Sequence, residues 1–165
     1  MSDKDIPTIG LGLRWEDTPA GFRFRTIGRT VTEADITIFA GVTGMVEVLF
    51  TNLEYLREQS LFDKRLVPGA LVYSFAEGLL MQAAVQGTGL AFLGMELEVL
   101  RPTCAGDTIT VEVEVLESRA SSSKPGRGIV KTRNTVVNQK GEPVMVYTPT
   151  RMVKGRDYQP ERKKG

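Results

Sequence analysis

An α+β fold, with an antiparallel sheet wrapped around a long buried central helix, is predicted by three features of this 165-residue chain. Residues 70–85 are apolar on most sides, as suits a helix covered almost all round. From residue 90 onward, apolar and polar residues alternate in runs divided by turn signals, the pattern of strands with one buried face. A short alternating run and two short helical segments come first. A sheet curled around one apolar helix buries both hydrophobic surfaces with short connections.

The elements follow in order. Residues 1–21 form an irregular N-terminal segment punctuated by Pro7, Pro19 and Gly21. Residues 22–153 form the domain and residues 154–165 a charged tail, expected to fray. The stretch FRFRTIGRTVT (22–32) opens as a strand. Thr32 and Asp35 read as a capping box for a helix whose inward face is Ile36, Phe39 and Val42, ended by the next glycine. A second short helix starts at Thr51 or Asn52, with Leu53 and Leu56 inward. The loop between them, GMVEVLF (44–50), carries large apolar groups that need cover. Pro68 suits the first turn of the long helix, and Gly87 and Gly89 end it.

Four strand segments remain. LAFLGMELEVL places Ala91, Leu93, Met95, Leu97 and Val99 on one face. GDTITVEVEVLESR points Ile109, Val111, Val113 and Val115 one way and Thr110, Glu112 and Glu114 the other. Two more strands follow, with NQKGEP as a hairpin turn. So small a sheet leaves edges open, and dimerisation that joins two sheets covers them.

Composition narrows the chemistry. Lys plus Arg number 21 against 20 Asp plus Glu, a formal charge of +1, so neither nucleic acid nor an acidic membrane is expected as a partner. The polar start MSDKDIPTIG lacks the apolar run of a signal peptide, and the longest oily stretch is too short to span a bilayer. A cytoplasmic location is the expectation. The chain has no histidine and a single cysteine, Cys104, so a structural zinc site is not expected. Any general acid or base must be a carboxylate, a tyrosine, a lysine or that thiol.

The segments GRTVTEADITIFAGVTG (28–44), RLVPGALVYSFAEGLL (65–80), FLGMELEVLRPTCAGDTITVEVEV (92–115) and GRGIVKTRNTVVNQKGE (126–142) resemble the MaoC-like dehydratase family of hot-dog folds. That family includes (R)-specific enoyl-CoA hydratases and 3-hydroxyacyl thioester dehydratases. The resemblance implies an acyl thioester of coenzyme A or acyl carrier protein as ligand, no further cofactor, and a homodimer or dimer-based oligomer. A heteromer with a catalytic paralogue is a further possibility it raises.

In such hydratases an aspartate follows the TG dipeptide and a histidine stands five positions later. Here those places hold Met45 and Phe50, and Pro68 stands where a further histidine commonly precedes the helix-starting glycine. Gly69 matches, and its N–H resembles the donor that polarises the thioester carbonyl. Methionine and phenylalanine cannot exchange protons, so the usual acid–base dyad is missing, whereas an N–H at a helix start still stabilises negative charge.

Two carboxylates are candidate replacements. Glu47 lies in the altered loop among Val46, Val48 and Leu49, where it either acts as a base or turns to solvent. Glu77 interrupts the apolar helix eight residues past Gly69. PGALVYSFAE also resembles acyl-CoA thioesterases, in which a glutamate at this place serves as base or nucleophile. The alternative for Glu77 is a buried carboxylate bonded to Tyr73, Ser74 or a partner chain. Tyr73 and Ser74 either orient a ligand or tie helix to sheet. Met45, Phe50 and Pro68 are expected to line the pocket. Arg101, Arg127 and Lys131 either meet a coenzyme A phosphate or are solvated strand ends, and Cys104 is expected to be inert.

Overall fold

The structure, a computed structural model, describes residues 6–59 and 62–160. Among these residues, eight strands form one antiparallel sheet: β1 (Arg23–Arg25), β2 (Arg29–Thr30), β3 (Gly89–Gly94), β4 (Leu97–Val99), β5 (Thr108–Ala120), β6 (Arg127–Val137), β7 (Pro143–Tyr147) and β8 (Thr150–Lys154). Both β7 and β8 pair with β6, while β4 pairs with β7 and β3 with β8. The segments β3–β4 and β7–β8 therefore behave as two long strands, each interrupted once. Pro149, between β7 and β8, has no N–H to continue the ladder. The early strand is likewise split, with β1 and β2 pairing to different parts of β5.

The sheet wraps α4 (Gly69–Leu80), which continues into five residues of π-helix, Met81–Val85. This is the hot-dog arrangement. Leu71, Val72, Ala76, Leu79 and Leu80 of the helix meet Ile109, Val111 and Val113 of β5 in the main core. The β5 residues alternate between buried and half-buried, as their period of two requires. The helix is not covered all round, however: Ala70, Ser74 and Gln82 lie on an open side.

Local signals act as their chemistry dictates. Thr32 Oγ1 accepts from the Asp35 N–H at 3.2 Å and Asp35 Oδ2 accepts from the Thr32 N–H at 2.8 Å, closing the capping box of α1 (Glu33–Thr43). Gly44, at φ 74°, caps its other end in the left-handed conformation that glycine adopts without strain. The hairpin turn forms as expected, with Asn138 Oδ1 accepting from the N–H groups of Lys140 and Glu142.

Two expected core positions, Val42 and Leu53, are exposed instead. Val42 is 82% exposed and Ala40 takes the inner place. At 3.6 residues per turn, Val42 has rotated about 120° away from Ile36. Two helices follow: α2 (Val48–Thr51), a single turn within the apolar loop, and α3 (Leu53–Glu58), capped by Asn52 Oδ1. Leu56 is buried there but Leu53, in the first turn, is exposed. On β3–β4 the row of Leu93, Met95, Leu97 and Val99 lies exposed within this chain. These strands form the free edge of the sheet, and among the described residues no element reaches over them.

The described parts of both terminal segments pack onto the domain, and residues 161–165 of the tail expected to fray lie outside the described residues. The N–H groups of Gly12 and Leu13 donate to Gln86 and Ala84, closing the distal end of the helix. Trp15 lies across Gly128, where any Cβ would fall 2.2 Å from its Cγ, so only glycine fits. Arg156 of the tail bonds Asp17, and the Gly155 N–H bonds the Gly126 carbonyl.

Candidate functional site

An apolar pocket of about 340 Å³ opens at the start of α4. Phe50, Phe62, Gly69, Val72, Val99 and Met145 form much of its wall, and Arg101 is the one ionisable residue there. Pro68 is the N-cap and, lacking a side-chain donor or acceptor, makes no cap hydrogen bond. The first helical acceptor is the Pro68 carbonyl, which takes the Leu71 and Val72 N–H groups, so the amides of Gly69 and Ala70 have no acceptor a turn before them and are among the orphan donors of a helix start. A Cβ on Gly69 would meet Val99 Cγ2 at 3.6 Å, so the bare glycine widens the pocket toward β4.

The wall at Phe50 is fixed by Arg65. Its Nε donates to the Phe50 carbonyl at 2.6 Å, while Nη1 donates to Thr37 Oγ1 at 2.8 Å and Glu33 Oε2 at 3.1 Å. One planar guanidinium thus ties the apolar loop to α1, which a flexible ammonium could not do in the same way. Arg65 carries no signal in the sequence, because its partners come from segments 15 to 32 residues away.

Of the residues expected at the pocket, Phe50 and Gly69 line it and Pro68 adjoins it as the cap. Met45 lies at the surface, Ser74 is exposed with its hydroxyl donated to the Ala70 carbonyl, and Tyr73 turns away to meet Tyr147 edge-on, with centroids 5.3 Å apart. Glu47 is exposed and caps α2, its Oε2 accepting from the Leu49 N–H at 2.8 Å. Arg101 stands at the rim and donates to the Pro143 carbonyl at 2.7 Å. Arg127 and Lys131 lie on β6 outside this pocket, Arg127 beside the Tyr158 ring.

Glu77 points away from the pocket into an ion pair. Both carboxylate oxygens lie 2.6 Å from Arg151 Nη2, and both side chains are largely buried. The sequence carried a signal for this partner: Arg151 falls in phase with the inward Val153 of β8, where a cation needs an anion opposite. Burial and the Glu77 charge push the Tyr147 hydroxyl far above its ordinary range, so it stays a phenol. Burial also pushes the Cys104 thiol up, and Asp107 beside it adds to the effect, leaving a protonated and unreactive sulfur. Among the described residues, no three His, Cys, Asp or Glu side chains come together as a metal site, and no helix is long and apolar enough to cross a membrane.

Comparison with solved structures places this architecture among the hot-dog proteins. A MaoC-like dehydratase of Rhodospirillum rubrum superposes with a TM-score of 0.79 at 32% identity, over 89% of this chain and 100% of that one. A double-hotdog protein of Mycobacterium tuberculosis superposes at 0.81 and 23% identity, over 93% of this chain and 48% of that one. Residues 17–138 match the MaoC like domain family, and the chain belongs to it.

Relatives by sequence agree. The protein MaoC of Klebsiella aerogenes is 35% identical over 101 residues, 60% of this chain but 29% of that protein. An (R)-specific enoyl-CoA hydratase of Rhodospirillum rubrum is 28% identical over 101 residues, covering 61% and 68% respectively.

Proposed function

We propose that this protein binds an acyl thioester, the acyl group entering the apolar pocket and the thioester carbonyl accepting from the Gly69 N–H. The single observation that carries the reading is an uncapped helix start opening on a pocket whose other walls are almost wholly apolar. Such a site suits a ligand with one polar carbonyl and a hydrocarbon body. Family membership and the enoyl-CoA hydratase relative support the same ligand class, carried by coenzyme A or by a carrier protein.

Ordinary hydratase chemistry is not part of the proposal. No wall residue of the pocket is a carboxylate or histidine. Glu47 is engaged as a helix cap, and eight residues of helix place Glu77 about 12 Å along the axis from Gly69. A positioned acid or base contributes roughly 10² to 10⁴ in rate, and this pocket holds neither carboxylate within reach. The protein then acts as a binding subunit, paired with a second copy or with a catalytic paralogue through the open β3–β4 edge. That edge pairs on one side only and exposes Phe92, Leu93, Met95, Leu97 and Val99.

The test is calorimetric titration with trans-2-enoyl, 3-hydroxyacyl and saturated acyl-CoAs, with mass analysis of each mixture and Glu47→Gln and Glu77→Gln as controls. Saturable binding without conversion is expected. Turnover lost in either variant would restore that carboxylate as the catalytic group and overturn the proposal.

A further inference from the structure

The Gly69 pocket has one polar side chain in its floor. Val67, Val72, Val144 and Met145 are buried there, and so is Thr103, which is 3% exposed. Among the described residues, Thr103 carries the only side-chain hydroxyl of the wall. Arg101, the other polar residue, lies exposed at the rim with Nη1 on the Pro143 carbonyl.

Thr103 is fixed through its backbone. Its carbonyl accepts from the Val67 N–H at 2.9 Å, and the next residue, Cys104, bridges Leu66 and donates its N–H to Asp107 Oδ2 at 2.8 Å. Val67 stands two residues before Gly69, so Thr103 lies beside the start of α4. A β-branched side chain on so fixed a backbone has few rotamers open to it. Among the described residues the Thr103 hydroxyl has no hydrogen-bond partner, yet unlike Thr132 Oγ1 it is not sealed from water. The space it lines is the pocket. A valine would fill nearly the same volume without the desolvation that a hydroxyl costs. Nothing within the fold offsets that cost, whereas a ligand in the pocket can.

Resting on the thioester reading, we infer that Thr103 determines specificity at this site, selecting acyl groups that carry a hydroxyl close to the thioester over plain hydrocarbon ones. The Gly69 N–H can only donate, which suits the thioester carbonyl. The Thr103 hydroxyl donates and accepts, and a ligand hydroxyl matches it in either direction. Its place beside the helix start sets it against the carbonyl end of an acyl group rather than the tail. An unsubstituted chain displaces water from Thr103 Oγ1 and leaves that oxygen facing hydrocarbon, which weakens binding.

Calorimetry on the full chain with both enantiomers of 3-hydroxybutyryl-CoA and with butyryl-CoA, all of one chain length, tests the assignment. The better-bound enantiomer should exceed butyryl-CoA in affinity by about threefold to tenfold, the range that one neutral hydrogen bond supplies. Thr103→Val keeps the shape and should erase that preference while butyryl-CoA binds as well as before or better. Thr103→Ser keeps the hydroxyl and should keep the preference. Equal affinity for the three ligands in the parent, or a preference that survives in Thr103→Val, would overturn this inference and leave the thioester reading standing. Failure of every acyl-CoA to bind would sink both. Thr103→Val should also melt at or above the parent Tm, because the hydroxyl has no partner within the fold. A Tm lowered by several degrees would show that the hydroxyl holds the fold instead, against the assignment.

Discussion

Glu77 of α4 and Arg151 of β8 join helix to sheet through two contacts of 2.6 Å. Removing one member strands the other charge, and such losses cost about 3–5 kcal/mol. Arg151→Met should therefore lower unfolding stability by that order in urea titrations. Replacing both, Glu77→Leu with Arg151→Met, should recover most of the loss, because no charge is then left unpaired. Additive costs in this double-mutant cycle would show that the pair is not coupled.

Arg65 acts by shaping the pocket wall. Arg65→Met removes the bonds to Phe50, Thr37 and Glu33 and should cost about 1–3 kcal/mol, since it leaves the Phe50 carbonyl without its donor. Arg65→Lys should fail to restore acyl-CoA affinity, because an ammonium cannot serve the two directions the guanidinium fork covers. Calorimetry on both variants checks this, and full affinity in the lysine variant would argue against a wall held by Arg65.

Acid sensitivity should trace partly to the first turn of α1. Burial pushes the Asp35 carboxyl up, but the Thr32 hydroxyl and N–H, with Arg29 beside it, outweigh that and hold it below its ordinary 3.8. A depressed carboxylate contributes stability above its unfolded pKa and loses it as pH falls through the folded one. Asp35→Asn should therefore be less stable than the parent at pH 7. The two urea midpoints should converge below about pH 4. A gap that is constant with pH would mean that the charge of Asp35 plays no part.

Leu93 reports on the free sheet edge. It is 52% exposed on β3, which among the described residues pairs with β8 alone. Leu93→Lys places a charge on that edge and should shift sedimentation from dimer to monomer without unfolding the domain. A parent protein that sediments as a monomer at all concentrations would contradict the edge-paired assembly.

The parts of this fold that the sequence discloses are those set by short-range chemistry. The Thr32–Asp35 box, the Asn138 turn and the alternation of β5 each depend on residues within one element, so their pattern is visible without knowing the rest. What covers the row on β3 and β4 is not legible, for the opposite reason. Alternation shows that Leu93, Met95 and Leu97 form a row, but only tertiary structure shows that none of the described elements covers it. The site divides the same way. Gly69 and Phe50 are legible from their places in the chain, and the phase of Arg151 in β8 hints at a buried cation, while the partners of Arg65 and the pairing of Arg151 with Glu77 depend on contacts across 15 to 74 residues.

The most direct test is the amide signal of Gly69 in an ¹⁵N-labelled sample titrated with a non-hydrolysable acyl thioester analogue. A carbonyl accepted at the helix start should move that signal downfield and saturably, with Val72 and Val99 responding at the same concentration. Binding that leaves Gly69 unmoved, or no binding across the acyl series, would contradict the assignment of this pocket.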